Sequence, residues 1–164
     1  MFKVGELVSY GANGIYEIID VRKENVLGAV CSYYVLRAYR DKTESLIFVP
    51  QDNEALTAAM RYLMTADEAK QLLSEFKTIE PSGWTPDAKQ RMENFKRATQ
   101  NADHRAVIAI IKSIWEKGKE REREGKKNYQ TDEALLKKAE KLLYTEISLA
   151  LGIETEAIPE YFEK

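Results

Sequence analysis

The chain is predicted to be an α+β protein, with a small N-terminal antiparallel β barrel or strongly curved sheet followed by a compact C-terminal helical bundle. Three observations predict it. Short runs rich in β-branched and aromatic residues, broken by tight turns, fill residues 1–60. Beyond residue 64 the apolar period becomes helical. Helix-start signals follow, beginning with Thr65-Ala66-Asp67-Glu68, whose threonine and glutamate stand at capping-box spacing.

Each element has its own signal. "ELVSY" ends at Gly11, and "GANG" reads as a turn. "IYEIIDV" is extended, "KENVLGA" is expected to turn, and "CSYYVLRAY" is a strand. "RDKTE" turns again, and "SLIFVP" is a strand stopped by Pro50. A fifth short strand is expected within "LTAAMRYLM". In the helical part, Ala69, Leu72, Leu73 and Phe76 share one face. Thr85 followed by Pro86 predicts an N-cap with proline at the first helical position, and Met92 and Phe95 lie inside. Asp103 opens a helix facing inward with Val107, Ile110, Ile111, Ile114 and Trp115. Thr131 opens another, with Leu135, Leu136, Ala139, Leu142, Leu143 and Ile147 inside and Gly152 just past its end. "TEAIPEYFEK" adds a short final turn. The expected division is 1–60 and 61–164.

The 164 residues are 44% hydrophobic and 32% charged, enough for a buried core. A single cysteine, Cys31, excludes an internal disulfide framework, and a single histidine, His104, leaves no zinc cluster. No phosphate-binding glycine motif is present, since "GANG" has neither required spacing. His104 reads as a polar residue in a first helical turn, and Cys31 as a small core residue. No enzymatic activity, cofactor or small-molecule substrate is therefore expected. The N-terminus lacks a signal-peptide pattern and no apolar run reaches the ~18 residues of a membrane span, so a cytoplasmic protein with no membrane partner is expected.

Charge is unevenly placed. Residues 89–141 hold 15 Lys/Arg against nine Asp/Glu, whereas residues 142–164 hold one Lys against five Glu. The basic middle suits phosphate contact or solvated helix faces equally well. The alternating run "KGKEREREGKK" reads as a solvated face. Trp84 stands apart, in "EPSGWTPDAK", between a Pro/Gly turn and a helix start. Its residue context alone favours packing against Phe95 or the first bundle helix.

The succession "FKVGELVSYGANGIYEIIDV", "YYVLRAY", "LIFVP" and "EPSGW" before helices resembles the CarD/CdnL family of bacterial transcription regulators. The opening VGxxVxYxxxG pattern is shared with the polymerase-binding module of transcription-repair coupling factors; the E-P-x-x-W step followed by helices selects CarD. The resemblance covers nearly the whole chain. It implies a Tudor-like β domain that binds the RNA polymerase β subunit. It also implies a helical domain that meets promoter DNA at the upstream edge of the melted bubble, largely independent of sequence. The family's wedge tryptophan falls on Trp84, which the resemblance turns outward. Lys89 fits the basic pattern after it and Lys138 matches in the later helix; Arg91, Lys96 and Arg97 lie within two turns of Lys89. Pro86 and Asp87 stand where relatives often carry basic residues. The polymerase contact falls on Arg22 and on Leu46, Ile47, Phe48 and Val49, with Phe48 where relatives commonly carry arginine. The rival expectations are a β module that binds another protein or RNA, with helices serving to dimerise, and an enzyme with an unannounced site.

Overall fold

The computed structural model describes residues 1–40 and 45–163, with side chains through Tyr161. Its contacts divide the chain into two compact units, Met1–Leu63 and Met64–Lys164. The first ends at Leu63, beyond the expected residue 60, because a strand crosses that position.

The first unit is one antiparallel sheet of five strands, β1 (Leu7–Tyr10), β2 (Ile15–Val26), β3 (Ala29–Ala38), β4 (Leu46–Pro50) and β5 (Met60–Tyr62), in the order β4-β3-β2-β1-β5. The end strands β4 and β5 are not paired with each other, so the sheet is open. A single turn of helix, α1 (Glu54–Thr57), is capped by the Asn53 carboxamide oxygen, which accepts from Leu56 N at 3.1 Å. Val8, Ile18, Tyr34, Leu36, Val49 and Met60 form the core, with Phe2, Tyr10, Tyr16 and Ile47 against it.

The expected turn over "KENVLGA" is corrected. Strand β2 runs on to Val26, which pairs with Ala29, and only Leu27 and Gly28 turn the chain. Both take positive φ, 52° and 85°, as a two-residue hairpin of the twisted type requires. The expected turn at 40–44 lies, beyond Arg40, outside the described residues. A bulge between Ile18 and Asp20 changes the parity of β2. Ile18 pairs with the buried Leu36, but Asp20 pairs with Val35 and Arg22 with Tyr33 on the opposite side of the sheet. One extra residue therefore moves Asp20 and Arg22 onto the outer face.

The second unit is helical: α2 (Ala66–Glu75), α3 (Ala88–Gln100), α4 (His104–Arg123), α5 (Gln130–Leu151) and α6 (Ile158–Glu163). The Thr65 capping box forms reciprocally: Glu68 N donates to Thr65 Oγ1 at 3.2 Å and Thr65 N to Glu68 Oε2 at 2.8 Å. Asp103 caps α4, accepting from Ala106 N at 3.0 Å, and Gly152 ends α5 at φ 68°. Two helix starts differ from expectation. Asp87, not Thr85, caps α3, because its carboxylate accepts from Lys89 N at 3.0 Å while the Thr85 carbonyl is taken by Arg91. Thr131 lies in the first turn of α5, its hydroxyl turned to Arg91. Phe95, Ile108, Ile111, Ile114, Leu143, Ile147 and Ile158 are the unit's largest fully buried apolar side chains. His104 stands in the first turn of α4, and its Nε2 lies 3.3 Å from Oε2 of Glu146, which is 1% exposed and also accepts from Met64 N at 2.8 Å.

Candidate nucleic-acid interface

The segment between α2 and α3 must change direction within a few residues, and Gly83 at φ 93° lets it do so. Helix α4 holds it down. Gly83 N donates to Ser113 Oγ at 3.0 Å, Ser82 N to the Ala109 carbonyl at 3.2 Å, and the two serine hydroxyls meet at 3.2 Å. From the position before Ser113, Lys112 Nζ donates to the carbonyls of Phe76 and Ile79, the latter at 2.6 Å. Its burial there lowers the lysine pKa.

This anchored turn delivers Trp84 to a fixed place. The indole Nε1 donates to Asp132 Oδ2 at 2.8 Å, and Asp132 on α5 is fully buried. The other Asp132 oxygen accepts from Arg91 Nε at 2.7 Å. Arg91 also donates to the Thr85 carbonyl at 2.8 Å and to Thr131 Oγ1 at 3.4 Å. The Arg91 guanidinium and the Lys117 ammonium each lie 4.5 Å from the indole centroid. Tyr129 stacks on Trp84 at 5.5 Å with 15° between planes, and the Arg121 guanidinium lies 3.8 Å from the Tyr129 ring centre. Trp84 is thus partly buried yet not core, and Tyr129 remains 38% exposed. The cleft lined by Gly83, Trp84, Arg91, Ser113, Ile114 and Leu135 has a volume of about 20 Å³. That admits a water-sized group and not a nucleobase, so a base would meet the outer surface of the rings.

The expected phosphate contacts separate. Lys89 and Lys96 are exposed on α3, one heptad apart and so on one face; Arg97 and Lys138 are exposed too. Arg91 is a correction. It is 8% exposed and bound to Asp132, so it braces the tryptophan and does not stand in solvent beside Lys89. Arg91, Phe95 and Ala98 are buried at i, i+4 and i+7, a spacing readable in the chain. Tyr129, Asp132, Lys117 and Arg121 were not foreseen. They lie 33 to 48 residues beyond Trp84, where no local spacing connects them, and two belong to the alternating run that reads as a solvated face. Trp115, expected as core, is partly buried, with Nε1 donating to Glu140 Oε1 at 2.9 Å.

On the first unit, β4 is an end strand of the sheet. Leu46 (37% exposed) and Phe48 (45%) point outward, whereas Ile47 packs against the core and Val49 is fully buried. Val49 is therefore corrected from contact residue to core residue, as the two-residue period of a half-buried strand requires. Arg22 shares the outer face; its guanidinium lies 5.6 Å from the Phe48 ring and its Nε 2.9 Å from Asp20 Oδ2. Val35, between Asp20 and Phe48 in register, is fully buried. The geometry gathers Arg22, Leu46 and Phe48 into one exposed patch with a charged edge.

Among the described residues no cluster of His, Cys, Asp or Glu has the makings of a metal site, and no helix is long and apolar enough to cross a membrane. Comparison with protein-family models and with curated proteins returns no match.

Proposed function

We propose that this chain is a cytoplasmic, non-enzymatic transcription regulator of the CarD/CdnL kind. Its first unit, a Tudor-like module, docks on the RNA polymerase β subunit through the Arg22, Leu46 and Phe48 patch, with β4 offered as an edge strand. Its helical unit meets promoter DNA, with Lys89, Lys96 and Lys138 on phosphates and Trp84 against the bases at the upstream edge of the bubble. Docking raises the local concentration of the helical unit, so weak and sequence-poor DNA affinity suffices. Opposing reclosure by only ~1.4 kcal/mol shifts the open-complex population tenfold.

The observation that carries this reading is the mounting of Trp84. An indole fixed through its N–H to a buried carboxylate, with part of its ring exposed and cations at its faces, suits contact with a polyanion carrying flat bases. The test follows promoter-complex decay after competitor challenge, with the intact chain and with Trp84→Ala. The parent is expected to lengthen the lifetime at a weak promoter, and Trp84→Ala to return it toward that of polymerase alone. Phe48→Asp is expected to lose co-purification with the β subunit. A Trp84→Ala chain that folds and prolongs the lifetime undiminished refutes the wedge; undiminished co-purification of folded Phe48→Asp refutes the docking patch.

A further inference from the structure

Tyr129 is not accounted for by the wedge. It sits at the end of the turn between α4 and α5, at the N-cap of α5, and contributes no side-chain cap to that helix. It is 38% exposed although it stacks within 15° of parallel on Trp84. The guanidinium of Arg121 lies 3.8 Å from its ring centre, well within cation–π reach. A planar cation therefore already lies over the Tyr129 ring. Arg121 reaches there from α4, steadied by donation from its Nε to the Lys127 carbonyl at 2.8 Å. Lys126 and Lys127 are exposed in the same turn. Flat aromatic surface edged by mobile-length cations is the chemistry that single-stranded nucleic acid recognises: rings take the bases and cations follow the phosphates.

We propose that Tyr129 is a second base-stacking residue: stacked on Trp84, it offers its outer face to an unpaired nucleobase, while Arg121 moves from the tyrosine ring to the adjoining phosphate. The inference rests on the nucleic-acid reading above and narrows its ligand to a locally single-stranded segment. Duplex DNA, whose bases are stacked on one another, offers Tyr129 no free base face.

The test uses the full chain and two end-labelled probes at low salt, a 20-nucleotide oligo-dT strand and a duplex of the same length, followed by anisotropy. Tyr129→Phe keeps the ring; Tyr129→Leu keeps bulk without it. On the single strand, Tyr129→Phe is expected within about twofold of the parent and Tyr129→Leu weaker by on the order of tenfold, as one lost base–aromatic stack predicts. Duplex binding by Tyr129→Leu is expected within about twofold of the parent, which also shows that the variant is folded. Arg121→Ala is expected to flatten the single-strand salt slope by about 0.7. Single-strand binding by Tyr129→Leu equal to the parent's, or an equal loss on both probes, overturns the inference and leaves the nucleic-acid reading standing. So does a parent that binds duplex alone. A parent that binds neither probe overturns both.

Discussion

Removing the Asp132 carboxylate should unseat Trp84 and cost the helical unit much of its stability. Asp132 is fully buried and gives one oxygen to the Trp84 indole and the other to Arg91, itself 8% exposed. Asp132→Ala leaves a guanidinium in the interior with the Thr85 carbonyl and a long contact to Thr131 as its remaining hydrogen-bond partners. Breaking a buried ion pair from one side costs about 3–5 kcal/mol. For a unit of this size each kcal/mol lowers the midpoint by at least about 4 °C, so a fall of 12 °C or more is expected. Circular dichroism at 222 nm follows the melt, and indole emission in a Trp115→Phe background reports Trp84 alone. The emission should shift to the red as the ring loses its hydrogen bond and its stacking. The double change Arg91→Met with Asp132→Leu should recover most of the loss, because apolar replacement of both partners removes the stranded charge. An Asp132→Ala chain that melts within ~1 kcal/mol of the parent, with unchanged emission, would refute the claim that this carboxylate holds the tryptophan.

Three further outcomes are expected. Leu27 is fully exposed and held at φ 52° in the hairpin, so Leu27→Asn should stabilise the β unit by roughly 0.5–1 kcal/mol, read as a higher denaturant midpoint; a lower midpoint would show that the leucine side chain is held by something else. Val49→Asp should unfold the β unit by burying an unpaired charge, while Phe48→Asp, on the outer face, should change stability by no more than about 1 kcal/mol, a contrast that urea unfolding reads directly. Glu75 has its pKa held below 4.5, first by the Gln71 amide and then by Arg105. Its folded pKa is depressed, so its contribution is present above about pH 4.5 and is lost as pH falls through the lowered value. Glu75→Gln should flatten that part of the acid-unfolding profile, and an unchanged profile would remove Glu75 from the acid response.

Local chemistry was legible in the chain. The Thr65–Glu68 box, the Asp103 cap and the left-handed Gly152 each depend on residues within four positions of one another. Sequence spacing encodes such short-range geometry directly. The antiparallel strands followed by helices were legible for the same reason. Thr85 and Asp87 both make credible caps in the sequence, and the fold uses the Asp87 carboxylate while Arg91 takes the Thr85 carbonyl. The bulge at Ile18–Asp20 left no mark in composition, yet it chooses the face on which Arg22 meets Phe48. Beyond Trp84 and the i, i+4, i+7 spacing of Arg91, Phe95 and Ala98, the site belongs to tertiary structure. Trp84, Arg91, Tyr129 and Asp132 come from a loop, α3, the start of α5 and its first turn, and they meet because the helices pack around Phe95, Ile111, Ile114 and Leu135. A buried arginine and a buried aspartate each look like surface residues in a sequence. Only the fold supplies the opposite charge that makes burying them tolerable.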